Sequence, residues 1–479
     1  MSEKIELPEE KLTRTTKLNF SFGAFANNVL NGFVFANITF FYNQKLNADA
    51  TLLGLGWLIF AIWNTVNDPI VSYFIDNTRT KIGRRIPYIR YGSILYALAF
   101  IFCWIPIAPQ GNQIALFFNF ILVLFLLDTM FSIVGCCFFC LPAEIAITAK
   151  GRASLGVYTS VIGFLNIVVG IVLPIFLFTS QEGIPDSFYV TIVLLGLLCG
   201  LLLFVTSYFY EENMFAQLQP HEPFIEGLRL TLKNKALWIF MIPAFFIAIA
   251  YPIFQTGLLY YIDYVISGVD LIFFVLALIL GIVFGMAINV VKMVSLGPKK
   301  IMILNLSVIS AGFLVMFIMG QNTALIAIPT FAAGFGFAGA MVSNSVLMGD
   351  VIDNDELITG KRREAIYGGV NAIITKPSLS IANWLFLSIL VAYQFIDPIL
   401  VGEEYIKQPQ TASGILGILI AFCLVPSILT AICAIALYWF PLDGPEWLKK
   451  KKELIELHER KEQEYLQKLA KEGKLMSLK

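Results

Sequence analysis

The chain is short of charge. Only 14% of its 479 residues are Asp, Glu, Lys or Arg, against about 25% in an ordinary soluble domain. Histidine is rarer still: His221 and His458 are the two in the chain, and neither lies in an apolar segment. Any proton carried through such a segment must therefore ride on a carboxylate. The seven cysteines, Cys103, Cys136, Cys137, Cys140, Cys199, Cys423 and Cys433, all sit inside apolar runs. That placement argues for packing rather than a disulfide framework or a zinc site. The chain has no HExxH, no G-x-S-x-G and no phosphate-binding loop, so neither an enzyme nor a resident cofactor is expected. Its opening residues, MSEKIELPEEKLTRTTK, carry no signal-peptide or transit-peptide pattern.

What fills the chain instead is apolar. Hydrophobic residues make up 58% of it and the mean hydropathy is +0.78. Twelve apolar segments can be drawn, at 18–43, 51–76, 87–108, 113–141, 153–179, 188–210, 236–264, 269–292, 299–320, 323–348, 366–396 and 411–440. Roughly 20 residues suffice for a helix to cross a bilayer, so the expected class is an all-α polytopic membrane protein. The long polar connector follows the sixth segment. The expected organisation is a cytoplasmic N-terminus at 1–17, a six-helix bundle at 18–210, a middle loop at 211–235, a second bundle at 236–440 and a charged tail at 441–479.

The basic residues test this drawing. Of the 33 Lys and Arg, all but Lys45, Lys376 and Lys407 fall on one side if both termini are cytoplasmic, as the positive-inside rule requires of a multi-pass cell-membrane protein. The turns IGRR (82–85) and LGPKK (296–300) occupy matching places in the two halves, which points to a duplicated six-helix unit. In the tail, EWLKKKK puts four lysines just beyond the last segment. There they favour solvent and can also reach anionic lipid. Net charge is zero, and no nucleic-acid partner is expected; the expected unit is a monomer surrounded by lipid.

Few ionisable groups lie deep in the apolar segments: Asp68, Asp128 and Lys376, with Glu144 and Lys292 nearer the ends. A charge at mid-bilayer costs about 2.5–3.5 kcal/mol on insertion scales and normally faces a partner or a cavity. Asp68 and Lys376 make a candidate pair, one from each half. In WNTVNDP, Asn64 and Asp68 are four apart and share a helix face, with Asn67 beside them. Spacing alone leaves two readings open, a small-cation site and a helix–helix hydrogen-bond cluster. Asn27, Asn28 and Asn31 in the first segment, Asn166 in the fifth and Asn371 in the eleventh can line a polar cavity, alongside Phe131 and Phe139. Asp128 belongs either to that cavity or to an interhelical contact.

Two stretches carry a family pattern. NDPIVSYFIDNTRTKIGRRIPY (67–88) and GDVIDNDELITGKRREAIYGGVNAIITKPSLS (349–380) resemble the glycoside–pentoside–hexuronide:cation symporters, the melibiose-permease-like branch of the major facilitator superfamily. LPAEIAITAKGR (141–152) and YWFPLDGPEWLKKKK fit more loosely. The resemblance implies the major facilitator fold, with twelve helices in two pseudo-symmetric bundles, a central solute site and alternating access driven by H⁺ or Na⁺. By motif it places Asn64, Asn67, Asp68 and Ser132 at the cation-coupling positions, with Lys376 next to them. It also places Arg152, Asp350, Asp353 and Arg363 at a cytoplasmic gate that latches the halves.

Departures from the pattern are informative. Asn64 stands where melibiose-permease-like members have a second helix-2 aspartate, and Asn28 and Gly135 stand at their sugar-binding aspartates. Ser160 replaces a helix-5 arginine. The expected substrate cavity thus holds Asn28, Asn31, Asp128, Gly135, Phe139, Ser160 and Asn371. With one carboxylate set against Lys376, a proton is favoured over Na⁺. The expected function is cation symport of a small polar solute such as a sugar or glycoside. Two alternatives stay open: a lysolipid carrier on the same scaffold, and a receptor-like protein that no longer transports. Retention of both Asp68 and Lys376 counts against the latter.

Overall fold

A computed structural model describes residues 13–454 and 456, apart from 81, 110, 146–148, 179–183, 210–229, 267–270, 323–324, 361–362 and 402–403. Most of the middle loop and the end of the tail lie outside the described residues. Each of the twelve apolar segments is helical. The first half holds α1 (Arg14–Phe40), α2 (Ala50–Asn77), α3 (Ile86–Phe102), α4 (Gln113–Ile145), α5 (Ala149–Ile167, continuing as Leu173–Phe178) and α6 (Asp186–Thr206). The second holds α7 (Lys235–Tyr260), α8 (Leu271–Leu296), α9 (Pro298–Met319), α10 (Ala327–Thr359), α11 (Glu364–Thr375 and Pro377–Ala392) and α12 (Ala412–Leu419, continuing as Val425–Tyr438). Among the described residues, 10 helices are long and apolar enough to cross a membrane. The others are α3, which is shorter at 17 residues, and α1, which spends part of its length on Thr, Ser and Asn.

Three departures from the sequence expectation have local causes. First, α10 runs on to Thr359, past the apolar segment's end at 348. Charged residues at an aqueous helix end do not stop a helix, whereas Gly360 does: it sits at φ 73 and its N–H bonds the Glu356 carbonyl at 2.7 Å, a left-handed C-cap. Second, α11 is broken at Lys376, because Pro377 has no N–H to give the carbonyl of Ile373. Third, the all-α expectation misses a small antiparallel hairpin between α11 and α12, in which β1 (Ile399–Val401) pairs with β2 (Glu404–Ile406). Strands of 3 residues are too short to carry a readable alternation.

The echo between halves has a structural counterpart. Gly83 and Gly297 both adopt positive φ, 111 and 83, where glycine alone is unstrained. The first helix of each half also ends in a π turn, Phe41–Lys45 after α1 and Tyr261–Val265 after α7. Within the second half, α8 lies hard against α10: a Cβ on Gly281 or Gly285 would fall 2.3 or 2.5 Å from the carbonyl oxygens of Phe331 and Phe335. That is small-xxx-small packing, which lets backbones approach where lipid supplies no hydrophobic drive.

Across the halves, α2 packs on the second piece of α11, and α1 on α7. The first piece of α11 packs instead on α7, within its own half. Among the described residues, these contacts lie between Lys376 and the face remote from the termini, called here the far face.

Candidate functional site

The site is assembled where α2, α4 and α11 meet. Pro69 follows Asp68 inside α2, and the break in α11 exposes Lys376 at the same level. Lys376 Nζ pairs with Asp68 Oδ2 and donates to the backbone carbonyl of Asn64 at 3.3 Å. From the other side, Ser132 Oγ donates to Asp68 Oδ1 at 2.5 Å. Asn67 Nδ2 donates both to Ser132 Oγ and to Asp128 Oδ2, each at 2.9 Å. Asn64, Asn67, Asp128 and Ser132 are buried. The Asp68 and Lys376 side chains keep 29% and 21% exposure. The ion pair is thus the accessible end of a buried polar network.

Chemically, Asp68 already has its charge met by Lys376 and by a hydroxyl. A cation arriving at this carboxylate competes with the ammonium, so binding there loosens the contact between α2 and α11. Asp128 changes the charge count. The sequence alone left it between the solute cavity and an interhelical contact; the structure puts it one turn before Ser132 on α4, hydrogen-bonded into the network. Two carboxylates therefore lie in one network, and Lys376 pairs with Asp68.

The expected cavity residues divide. Asn28 and Ser160 are exposed, the Ser160 hydroxyl donating back to the Gly156 carbonyl at 2.9 Å. The amide oxygens of Asn31 and Asn371, like those of Asn27 and Asn166, are buried without a hydrogen-bond partner among the described residues. Gly135 sits against its own helix neighbour, where a Cβ would meet the Phe131 ring at 3.1 Å. Phe139 is 82% exposed.

Of the four charges expected to latch the halves, Asp350 and Arg363 have partners C-terminal to the middle loop. Asp350 bonds Lys451, on the helix spanning 444–454. Arg363 grips Asp355, its Nε at 3.0 Å and its Nη2 at 2.7 Å. Asp353 is half-buried on α10, and Arg152 lies on α5 with its side chain outside the described residues.

A second set of contacts between the halves went unread in the sequence. On the far face, Tyr260 Oη donates to Asn43 Oδ1 at 2.8 Å, and Tyr264 Oη bonds Gln44 Oε1. Asn43 Nδ2 reaches Asp397 at 3.1 Å, and Thr39 Oγ1 donates to Asn383 Oδ1 at 2.8 Å, an oxygen that Thr256 also reaches at 2.9 Å. Asn43, Gln44, Thr39, Thr256, Asn383 and Tyr260 are all buried. In the sequence the run Asn43, Gln44, Lys45 looks like an ordinary polar helix end. The available signal was its match to Tyr260, Tyr261 and Tyr264 at the same place in the other half. Asp397, in the connector beyond α11, has its carboxyl held above the usual range by burial; the bond from Asn43 opposes this and the nearby Asp49 charge adds to it.

Comparison with known proteins decides what such an architecture belongs to. The family model described as MFS/sugar transport protein matches residues 19–444. The chain belongs to that family. It is a multi-span membrane transporter rather than an enzyme, and the resemblance read in residues 67–88 and 349–380 holds. Relatives include an uncharacterised symporter of Bacillus subtilis, 23% identical over 88% of this chain and 91% of that protein. A putative glycoside/cation symporter of Escherichia coli is 23% identical over 88% and 90%, and the isoprimeverose transporter of Lactiplantibacillus pentosus 22% identical over 90% and 89%. Among solved structures, the nucleoside transporter NupG superposes with a TM-score of 0.60 at 12% identity, covering 89% of this chain and 100% of that one. The D-xylose-proton symporter gives 0.60 at 12%, covering 89% and 96%. These two establish the fold alone.

Proposed function

We propose that the chain moves a small neutral polyhydroxylated solute, a sugar or glycoside, by symport, with a proton entering at Asp68. The observation that carries this reading is the Asp68–Lys376 pair, which joins the halves yet stays partly exposed. Protonating Asp68 removes the charge that holds Lys376 and frees α2 from α11. An inward proton gradient then does work through this contact, and each charge moved gains about 2.3 kcal/mol per 100 mV of membrane potential. The termini are proposed to be cytoplasmic. The unit is proposed to be a monomer in the cell membrane, its lysine-rich tail helix meeting anionic lipid.

The solute class rests on the amides. Asn27, Asn31, Asn166 and Asn371 present buried acceptor oxygens without partners among the described residues on α1, α5 and α11, and such groups call for a donor. Hydroxyl groups supply donors without a charge to desolvate. Relatives named for glycosides and isoprimeverose fit the same class. One observation favours a second reading, Na⁺ coupling: Asp128 adds a carboxylate to the network, so that with both ionised one negative charge is left over.

The test is uptake of a panel of radiolabelled sugars and glycosides into proteoliposomes under an inward proton gradient, an inward Na⁺ gradient, or neither. Accumulation under the proton gradient is expected. Accumulation only with Na⁺ transfers the assignment to the second reading. Transport of lysolipid with no sugar accumulated would overturn the solute class.

A further inference from the structure

Asp128 lies outside the positions that the family pattern assigns to the cation site, yet it is 2% exposed and bonded into that site. Asparagine has two N–H donors on one nitrogen and an acceptor oxygen on the other arm. In Asn67 the amide nitrogen is doubly committed, to Asp128 Oδ2 and to Ser132 Oγ. An ionised carboxylate only accepts, so Asp128 can hold only the nitrogen side of that amide. Ser132 Oγ accepts from Asn67 and so turns its single hydrogen to Asp68 Oδ1. The hydrogen-bond chain runs one way, from Asn67 through Ser132 to Asp68, and Asp128 is the fixed end that sets its direction.

We propose that Asp128 is a positioning residue for cation coupling: it acts through the amide of Asn67, holding Ser132 as a donor to Asp68 and so setting how the site receives its cation. This rests on the coupling-site reading above and deepens it. Replacing Asp128 by asparagine offers Asn67 an N–H as readily as an oxygen. The amide is then free to turn over and present its oxygen to Ser132, drawing the hydroxyl hydrogen away from Asp68. A mere negative charge at position 128 would act on Asp68 through space, with or without Asn67. The two roles therefore separate in a double-mutant cycle.

The experiment uses the purified full-length chain in detergent, with thermal unfolding followed as pH is varied and, at fixed alkaline pH, as NaCl replaces choline chloride. Whichever of the two cations stabilises the wild-type chain gives its half-saturating concentration. D128N is expected to move that concentration downward about tenfold, the scale of one charge-assisted hydrogen bond, because Asp68 loses the donor that favours its ionised, cation-free form. Loss of a charge acting through space would instead move it upward. D128E, which keeps the acceptor, recovers most of the shift. In an N67A background the D128N change adds nothing further. If D128N does not fold, the same cycle is run with D128E against N67A, where the small D128E shift is expected to vanish.

Additive shifts in the double variant would overturn the positioning role and leave a through-space charge, with the coupling reading intact. An unchanged half-saturating concentration in D128N overturns it as well. A wild-type chain whose unfolding responds to neither cation overturns the coupling-site reading and this inference together.

Discussion

Among the described residues, two sets of polar contacts join the halves, and they are built differently. At the far face the bonds described above run between amides, tyrosines and threonines, almost all buried, with a carboxylate, Asp397, among them. At mid-height the link is an ion pair, Asp68 with Lys376, both partly exposed. Neutral hydrogen bonds sealed from water hold equally well whatever ions are present. A charged pair within reach of water is held only until another cation reaches the carboxylate. The difference divides the proposed roles: the far face is the closure, and the middle is the proposed switch.

The sharpest way to break the comparison is to remove one partner of the switch. D68N or K376A should each abolish gradient-driven solute accumulation and lower stability by about 1–2 kcal/mol, less than the roughly 3–5 kcal/mol of a fully buried pair because both groups are partly solvated. The double variant D68N/K376Q should recover much of that stability without recovering accumulation, as thermal unfolding beside proteoliposome uptake would reveal.

Next in size is the closure. N43A leaves the Tyr260 hydroxyl and one Asp397 oxygen without their partner, at about 1–3 kcal/mol. A lower unfolding temperature is expected, together with faster labelling of a cysteine placed at Gln44 by a reagent added from the far side. The cation dependence should be unchanged, since nothing at Asp68 has moved.

The smallest effect is a pH dependence of the closure. Asp397 has a raised carboxyl pKa in the sealed structure, so sealing binds a proton. The closure then loses stability as pH rises from the ordinary carboxylate value of about 3.9 through the raised one, and the loss is complete above it. D397N should flatten that dependence in far-side labelling measured across acidic pH. A pH profile in D397N identical to wild type would remove Asp397 from the closure's proton balance.

The fold was largely legible in the sequence because a bilayer restricts the options. Apolar length gave the twelve helices, and the placement of Lys and Arg together with a polar connector gave the halves. Asp68 and Lys376 were legible for the same reason, since an isolated charge at that depth is costly. What stayed hidden depends on neighbours distant in sequence. Asp128 could be recognised as unusual, but only its bond to Asn67, 61 positions away, places it in the network around Asp68. Asn43 and Tyr260 lie 217 positions apart and are unremarkable singly. The pairing of Arg363 with Asp355 became readable only once α10 was seen to continue past the end of its apolar stretch.

The central claim is that the Asp68–Lys376 pair is the switch through which a cation gradient drives transport. It is tested most directly by comparing accumulation with exchange in D68N, using proteoliposomes and the sugar or glycoside that the wild-type chain accumulates. The account predicts that gradient-driven accumulation is lost while labelled solute inside still exchanges with unlabelled solute outside. Accumulation undiminished in D68N would contradict it.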